Sequence, residues 1–116
     1  MSDGSVNTLT LIGRLGQDPE VRVTASGMAI ANCNLATTSV IKGEEVTQWH
    51  KIVAFPPISE TIRDYVHKGS KLYIAGPVEY RTWEDKDGAT RYVTEIKVKD
   101  MRMLDPKKSN ESNAPV

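Results

Sequence analysis

Residues 56–69 read PPISETIRDYVHKG and contain the one helical pattern in a chain that otherwise reads as strands. Proline is tolerated in the first turn of a helix, so Pro56-Pro57 can end a strand and begin a helix. Gly69 suits the left-handed cap at the other end. We therefore predict a short amphipathic helix over residues 57–68. Its apolar stripe consists of residues that recur at helical spacing, namely Ile58, Ile62, Tyr65 and Val66.

Five strand-like runs flank this helix, three before it and two after it. They are rich in residues that favour strands and are separated by turn residues, with the Asp87-Gly88 pair as the strongest hairpin signal. The runs cover residues 6–15 with a continuation over 20–24, then 28–38, 46–55, 70–83 and 91–104. We predict one domain over residues 1–105. Residues 106–116 are polar and lack periodicity, which predicts a disordered tail.

Three strands, a helix and two further strands follow the order of the five-stranded oligonucleotide-binding barrel, the OB fold. Strand count alone fits other small β-barrels equally well, and an α+β sandwich also accommodates these runs. The position of the helix between the third and fourth strands favours the OB fold. We therefore predict an all-β, five-stranded OB-fold barrel with one short helix between strands 3 and 4.

The composition excludes several classes of protein. The chain has 116 residues with 15 basic and 15 acidic side chains, so its formal net charge is zero. Proteins that wrap duplex DNA carry a large positive field, and zero net charge disfavours that class while allowing a local basic groove. Cys33 is the single cysteine and lies on an apolar strand face, which predicts a buried, inert thiol. Without a secretory h-region or a run of roughly 20 apolar residues, we expect a soluble, intracellular protein.

Aromatic residues alternate with cations in two segments, WHKIVAF from Trp49 to Phe55 and RTW from Arg81 to Trp83. Side chains at positions i, i+2 and i+4 of a strand share one face, so Trp49, Lys51 and Phe55 lie together while the histidine between them faces the other way. Flat rings that stack on bases, beside cations that meet phosphates, are typical of proteins that bind single strands. The same rings could also fill a β-core, which is the simpler interpretation of an isolated strand.

Several stretches, taken in order, resemble the bacterial-type single-stranded DNA-binding protein (SSB) family. They are IGRLGQDPEVR at 12–22, NLAT at 34–37, QWHK at 48–51, YVHKGSKLYI at 65–74, Trp83 before the Asp-Gly turn, and RYVTE at 91–95. One match alone is weak, but the ordered set is specific and covers nearly all of residues 6–104. The resemblance implies an OB-fold protein, usually a homotetramer around which single-stranded DNA wraps. It also implies a cytoplasmic protein, nucleoid-associated or encoded by a phage or plasmid.

The resemblance further implies roles for individual aromatic and basic residues. Stacking on bases is implied for Trp49, Phe55 and Trp83. Phosphate contacts are implied for Arg22, Lys51, Lys68, Arg81 and Arg91, with Arg14 as a further candidate that could equally form a salt bridge at the rim. A solvated surface charge remains the alternative for each of these cations. His50 is placed at the subunit interface, where a neutral imidazole can exchange hydrogen bonds between chains.

Two departures from the family pattern limit this resemblance. Many relatives have another tryptophan shortly after the Leu-Ala-Thr stretch, where this chain has Val40 and Ile41. One stacking platform is therefore missing or replaced by an aliphatic contact. Cellular relatives also end in an acidic tip with a phenylalanine that recruits partners, whereas this sequence ends in SNAPV. We expect no partners that depend on such a tip.

The sequence therefore predicts sequence-tolerant binding and protection of single-stranded DNA in replication, recombination or repair. We expect no catalytic residues, no metal site and no cofactor, because there is no nucleophile–base pair and no Asp/Glu cluster with metal-ligand spacing. The alternative is an OB-fold module for protein interaction, such as a primosome component with weak DNA binding. The absent fourth platform and the zero net charge favour that alternative.

Overall fold

Within residues 3–106, which the computed structural model describes, the chain forms eight strands and one helix. In chain order they are β1 (Leu9–Leu15), β2 (Glu20–Val23), β3 (Ala29–Ile41), β4 (Glu44–Ala54), α1 (Ile58–Tyr65), β5 (Lys71–Gly76), β6 (Val78–Glu84), β7 (Thr90–Lys97) and β8 (Asp100–Met103). They correspond to the five predicted runs, three of which are interrupted. The predicted barrel, with its helix between the third and fourth runs, is confirmed.

The strands close into a barrel because the last run pairs with both the third and the fourth. β7 pairs in parallel with β4, with Ile52 opposite Ile96 and Val53 opposite Lys97. The chain then bends, and β8 pairs antiparallel with β5, which in turn pairs with β1. β1 completes the circuit by pairing with β3. Pro77 interrupts the fourth run because it has no N–H for the ladder, although its carbonyl accepts a hydrogen bond from Lys97 N–H at 3.0 Å.

The hairpin between β3 and β4 is tighter than the sequence indicates. The predicted strands end at residue 38 and resume at residue 46, with a polar loop between them. In the structure the pairing continues to Ile41 opposite Glu44. The turn is only Lys42-Gly43, with φ angles of 55° and 82°, a pair of positive values that matches the twist of a two-residue hairpin. The polar residues that suggested a loop lie instead on an exposed two-stranded arm.

Helix α1 is shorter at its carboxyl end than predicted. The sequence predicts helix to Lys68 with Gly69 as its cap, but the helix ends at Tyr65 and Val66 is extended, with φ −100° and ψ 139°. The Val66 N–H still donates to the Ile62 carbonyl at 3.0 Å, while its side chain enters the core. Gly69 does have a positive φ of 89°, but it serves the separate turn that leads into β5. Burial of a β-branched side chain thus outweighs one further turn of helix.

The interior of the barrel is filled by small and aliphatic side chains from every long run and from the helix. They are Leu15, Ala31, Cys33, Leu35, Ile52, Ala54, Ile62, Val66, Leu72, Ile74, Ile96 and Val98. Two glycines allow backbones to approach closely around this core. A Cβ at Gly13 would overlap the Ala36 carbonyl oxygen, and one at Gly76 would overlap that of Lys97. The core is therefore a closed aliphatic cluster in which the predicted stacking aromatics take no part.

Two predictions from the sequence concern the membrane and the tail. Within the described part of the chain, no helix is both long and apolar enough to span a bilayer. The predicted disordered tail covers residues 106–116, and residues 107–116 lie outside the described residues.

Replacing Ile62 by alanine tests the attachment of the helix to the barrel. Ile62 is completely buried, so we expect Ile62→Ala to lower the free energy of unfolding by about 2–5 kcal/mol through lost burial and the cavity left behind. Tyr65→Ala, an exposed position on the same helix, should change it by less than about 0.5 kcal/mol. Urea denaturation of both variants measures the difference. Equal losses would show that the helix does not pack as described.

Candidate nucleic-acid interface

The outer face of β4 carries the aromatic and basic residues singled out in the sequence. Ile52 and Ala54 point into the core, and each retains only 1 % of its exposure. Strand alternation therefore turns Trp49, Lys51 and Val53 outward. Phe55, directly after the strand, continues this row and is half-buried. This row of side chains forms the central part of the candidate interface.

A groove of about 640 Å³ lies between this row and the β6–β7 hairpin. We call it the central groove. Phe55 and Val53 contribute its apolar surface from β4, and Ile30 contributes from β3. Its charged lining consists of four cations and three carboxylates, namely Arg22, Lys51, Arg81, Lys97, Glu20, Glu79 and Glu95. The groove is thus only weakly cationic, in keeping with the neutral chain.

Trp49 lies beyond one end of the central groove, beside a second cavity of about 330 Å³. Gly16, Gln17 and Asn34 line that cavity together with Trp49. The indole ring is 61 % exposed and packs over Gly16, where a Cβ would come within 2.5 Å of the ring carbon Cη2. A glycine at this position therefore lets the ring lie flat against the barrel. A small cavity lined by Gln17, Asn34 and Lys51 joins this site to the groove.

Val40 lies on the same face of the β3–β4 arm as Trp49. Ala36 is the partner of Trp49 in the β3–β4 ladder, and alternation along β3 places Val40 on that side of the arm. Its side chain is 69 % exposed. Ile41 faces the opposite side. The surface therefore carries an exposed aliphatic side chain at this point, and whether it replaces a stacking platform stays a prediction.

Trp83 extends the same surface along the β6–β7 hairpin. Trp83 is the ladder partner of Arg91, and Arg81 precedes it by two residues, so all three side chains share one face. Trp83 is 48 % exposed. The reverse face of the hairpin carries Tyr80 and Tyr92, which are even more exposed. The hairpin thus has aromatic residues on both sides, and only one side continues the groove.

Four of the predicted phosphate-binding arginines form ion pairs within the chain. The guanidinium of Arg81 donates two hydrogen bonds to Glu95, which raise the pKa of Arg81 together with the charge of that carboxylate. Closest nitrogen–oxygen distances are 2.9 Å for Arg81–Glu95, 2.9 Å for Arg91–Asp85, 3.2 Å for Arg14–Asp105 and 3.7 Å for Arg22–Glu20. By contrast, Lys51 and Lys97 have no carboxylate partner within residues 3–106. These two lysines are the unneutralised cations of the groove.

Arg14 and Lys68 lie outside the central groove. Arg14 donates to the Gly69 carbonyl at 2.9 Å as well as to the Asp105 carboxylate, an arrangement typical of a structural salt bridge at the rim. The backbone N–H of Lys68 donates to Asp18 at 2.8 Å, and Asp18 lines the small cavity that also contains Gln17, Asn34 and Lys51. Of the six cations predicted to contact phosphates, the structure places three in the central groove, namely Arg22, Lys51 and Arg81.

Lys97 is the residue of the groove that the sequence analysis missed. Its Nζ lies 4.9 Å from the centroid of the Phe55 ring, within the range of a cation–π contact. The signal was present, because Lys97 alternates in phase with Arg91 along the last run and out of phase with the core residue Ile96. What alternation could not provide was the parallel pairing that places Lys97 beside Val53 of β4.

His50 lies on the reverse face of the β3–β4 arm, as the alternation predicts. It is half-buried, and its Nε2 is 2.8 Å from the Thr37 hydroxyl on the neighbouring strand. Ile41 shares this face and is exposed. The side chain is thus positioned away from the groove.

The described residues contain no arrangement typical of an active site or a metal centre. No group of three or more potential metal ligands occurs within residues 3–106. Cys33 is buried, and burial raises the pKa of its thiol to about 11. A thiol with that pKa is almost entirely protonated near neutral pH, so it is a poor nucleophile. The prediction that this thiol is buried is confirmed, and its raised pKa is consistent with low reactivity.

Comparison with known proteins points in one direction. The model of the single-strand binding protein family matches residues 6–104. The chain is 45 % identical over 113 residues to a single-stranded DNA-binding protein of Bacteroides thetaiotaomicron, covering 91 % of this chain and 70 % of that protein. It is 39 % identical over 112 residues to single-stranded DNA-binding protein 1 of Xylella fastidiosa, covering 91 % and 82 %. A Plasmodium falciparum SSB solved in complex with ssDNA superposes with a TM-score of 0.82 at 30 % identity, covering 90 % of this chain and all of that one.

Replacing Gly16 by alanine tests whether the Trp49 ring packs against the Gly16 backbone. The added Cβ would overlap the indole, so the ring must lift from the barrel. In a Trp83→Phe background, where Trp49 is the single tryptophan, we expect Gly16→Ala to increase quenching of its fluorescence by acrylamide. Tyr80→Ala is the control, because Tyr80 is an exposed side chain on the reverse face of the β6–β7 hairpin, away from Trp49. Unchanged quenching in Gly16→Ala would contradict the packing of Trp49 on Gly16.

Proposed function

The chain belongs to the single-strand binding protein family, which is non-catalytic, and from that premise we propose that it binds and protects single-stranded DNA in a sequence-tolerant way. The proposal is supported by the outward placement of the three rings around the central groove. Phe55 lines the groove together with Lys51 and Arg81, Trp49 shares the outer row of β4 with Lys51, and Trp83 shares the hairpin face of Arg81. Every base has a π-face, so stacking on such rings gives affinity without reading sequence. The proposal assigns this activity to the domain over residues 1–105, in replication, recombination or repair.

We assign phosphate contacts mainly to the cations of the groove. Lys51 and Lys97 are free of carboxylate partners in the described part of the chain and are the strongest candidates. Arg22, Arg81 and Arg91 are ion-paired but exposed, and a guanidinium has five N–H groups, so each retains donors for a phosphate. Arg14 and Lys68 are peripheral to this path. Few unpaired cations and three carboxylates in the groove imply that stacking contributes a large share of the affinity.

Alanine substitution of the three aromatics tests the stacking model. We expect Trp49→Ala, Phe55→Ala and Trp83→Ala each to weaken binding of oligo-dT by about 1–3 kcal/mol, because each removes one platform. Tyr80→Ala and Tyr92→Ala are matched controls, since both rings are highly exposed but lie on the reverse face of the hairpin. Fluorescence anisotropy titration at fixed salt provides the measurement.

Two outcomes of that titration would overturn the proposal. Wild-type affinity in a Trp49→Ala, Trp83→Ala double variant would show that stacking on these rings is not the mechanism. Micromolar or weaker binding by the wild-type protein, beside tight binding of a protein partner, would instead favour the OB-fold protein-interaction module.

We further propose that the protein is a homo-oligomer, a tetramer by analogy with its family, with His50 at a subunit interface. The reverse face of the β3–β4 arm supports this assignment, because it combines the half-buried His50–Thr37 pair with the exposed Ile41. Apolar and hydrogen-bonding groups on a face away from the groove suit a contact with a second copy.

Introducing a carboxylate on either face of β4 tests this interface. We expect His50→Glu to reduce the mass of the free protein in solution, because an unpaired carboxylate would be buried between subunits. Thr47→Glu adds the same charge on the opposite face of the strand and should leave the mass unchanged. Light scattering coupled to size-exclusion chromatography measures both. A monomeric wild-type protein, or equal dissociation by the two variants, would contradict the assignment.

A further inference from the structure

Two glutamates face each other in the middle of the central groove. Glu79 of β6 and Glu95 of β7 are ladder partners, so their side chains lie on the same face of the hairpin, and both line the groove. Opposed like charges destabilise a sheet, and carboxylates repel a phosphate backbone. Their presence in a groove for a polyanion therefore requires a reason. Their surroundings differ sharply, because Glu95 is 7 % exposed whereas Glu79 is exposed.

Glu95 holds the guanidinium of Arg81 along one edge. Nε of Arg81 donates to Oε1 at 3.1 Å, and Nη2 donates to Oε2 at 2.9 Å, which is the paired geometry that suits a planar fork. Two of the five N–H groups are thereby used. Three remain, including both on Nη1, and the Arg81 side chain is 56 % exposed. The arginine is thus fixed on its inner edge and available on its outer edge.

Fixing this arginine in the free protein favours binding. Arginine loses much rotamer freedom when it is immobilised, and a side chain that is already ordered avoids that loss when a ligand arrives. Glu79 offers nothing comparable, since its side chain has no ion pair or hydrogen bond within residues 3–106. Equal charges at opposed positions therefore have opposite consequences for the groove.

We propose that Glu95 is a positioning residue for phosphate binding, acting through Arg81, whereas Glu79 only opposes the bound phosphates. The inference rests on the proposed function, because it names how one cation of that same groove is made ready for the single strand. It has a counterintuitive consequence. Removing a negative charge from the groove at residue 95 weakens DNA binding, while removing one directly opposite, at residue 79, strengthens it.

The test compares Glu95→Gln with Glu79→Gln by anisotropy titration of labelled oligo-dT at several salt concentrations. We expect Glu95→Gln to weaken binding about fivefold, because the bidentate grip on Arg81 is lost. We expect Glu79→Gln to tighten binding by up to about threefold, because it removes an exposed, solvent-screened negative charge that repels the phosphates. If both variants tighten binding, Glu95 is merely a competitor of the phosphates and the inference is overturned.

Salt dependence separates positioning from a general structural effect. If Arg81 no longer meets a phosphate, the slope of log K against log salt should become shallower by about 0.7, the value for one contact on a single strand. Glu95→Gln should show this change, and Arg81→Met should match it. Weaker binding with an unchanged slope would identify Glu95 as a structural residue only and overturn the inference.

A double-mutant cycle and a charge-conserving variant complete the design. In an Arg81→Met background, Glu95→Gln should no longer weaken binding, since the residue through which it acts is gone. Glu95→Asp keeps the charge but shortens the side chain, so it should weaken binding as well, and wild-type affinity in this variant would contradict the inference. Thermal unfolding of each variant confirms that the assays use folded protein. Failure of the wild-type protein to bind oligo-dT would overturn the proposed function itself, an outcome distinct from every other.

Discussion

The parallel pairing of β7 with β4 is the constraint on which the barrel and the groove both depend. It closes the barrel by joining the last run of the chain to the third, with Ile52 and Ile96 meeting in the core. On the outer side, the same register places Lys97 beside Val53 and over the Phe55 ring. The inner face of this contact therefore supplies stability and the outer face supplies the floor of the groove. Neither could shift by one residue without exchanging core and surface side chains.

The candidate interface combines exposed aromatic rings with a nearly balanced set of charges in the central groove. Its cations are nearly balanced by Glu20, Glu79 and Glu95. A strongly cationic channel would bind any polyanion, including duplex DNA. Rings such as Trp49 and Trp83 can stack only on bases that are free to leave their neighbours in the strand. Under the proposed function, the weak net charge of the groove together with exposed aromatic rings favours a single strand over a duplex. Val40 adds an exposed aliphatic side chain to the face of Trp49.

Much of this fold could be predicted from local pattern. The presence of a helix within residues 56–69 and the Asp-Gly turn were recognisable from the sequence, because proline, glycine and apolar spacing act within a few residues. The errors concern two places, the loop between β3 and β4 and the carboxyl end of the helix. Half of the predicted loop at residues 42–45 is paired strand, and the helix stops at Tyr65 because the Val66 side chain packs into the core. Burial of Val66, which depends on residues far away in the chain, decided the end of the helix, whereas the exposed arm follows from its two-residue turn and the β3–β4 pairing.

Alternation by itself determined that Trp49, Lys51 and Phe55 share a face opposite His50, because the period of a strand is two wherever the strand lies. It also determined that the face with Ile52 is the apolar one. Only the tertiary structure decided which distant side chains meet that face. The Arg81–Glu95 pair, the seat of Trp49 on Gly16 and the approach of Lys97 to Phe55 all join separate runs of the chain. Such contacts arise from strand register across the closed barrel, which no local period encodes.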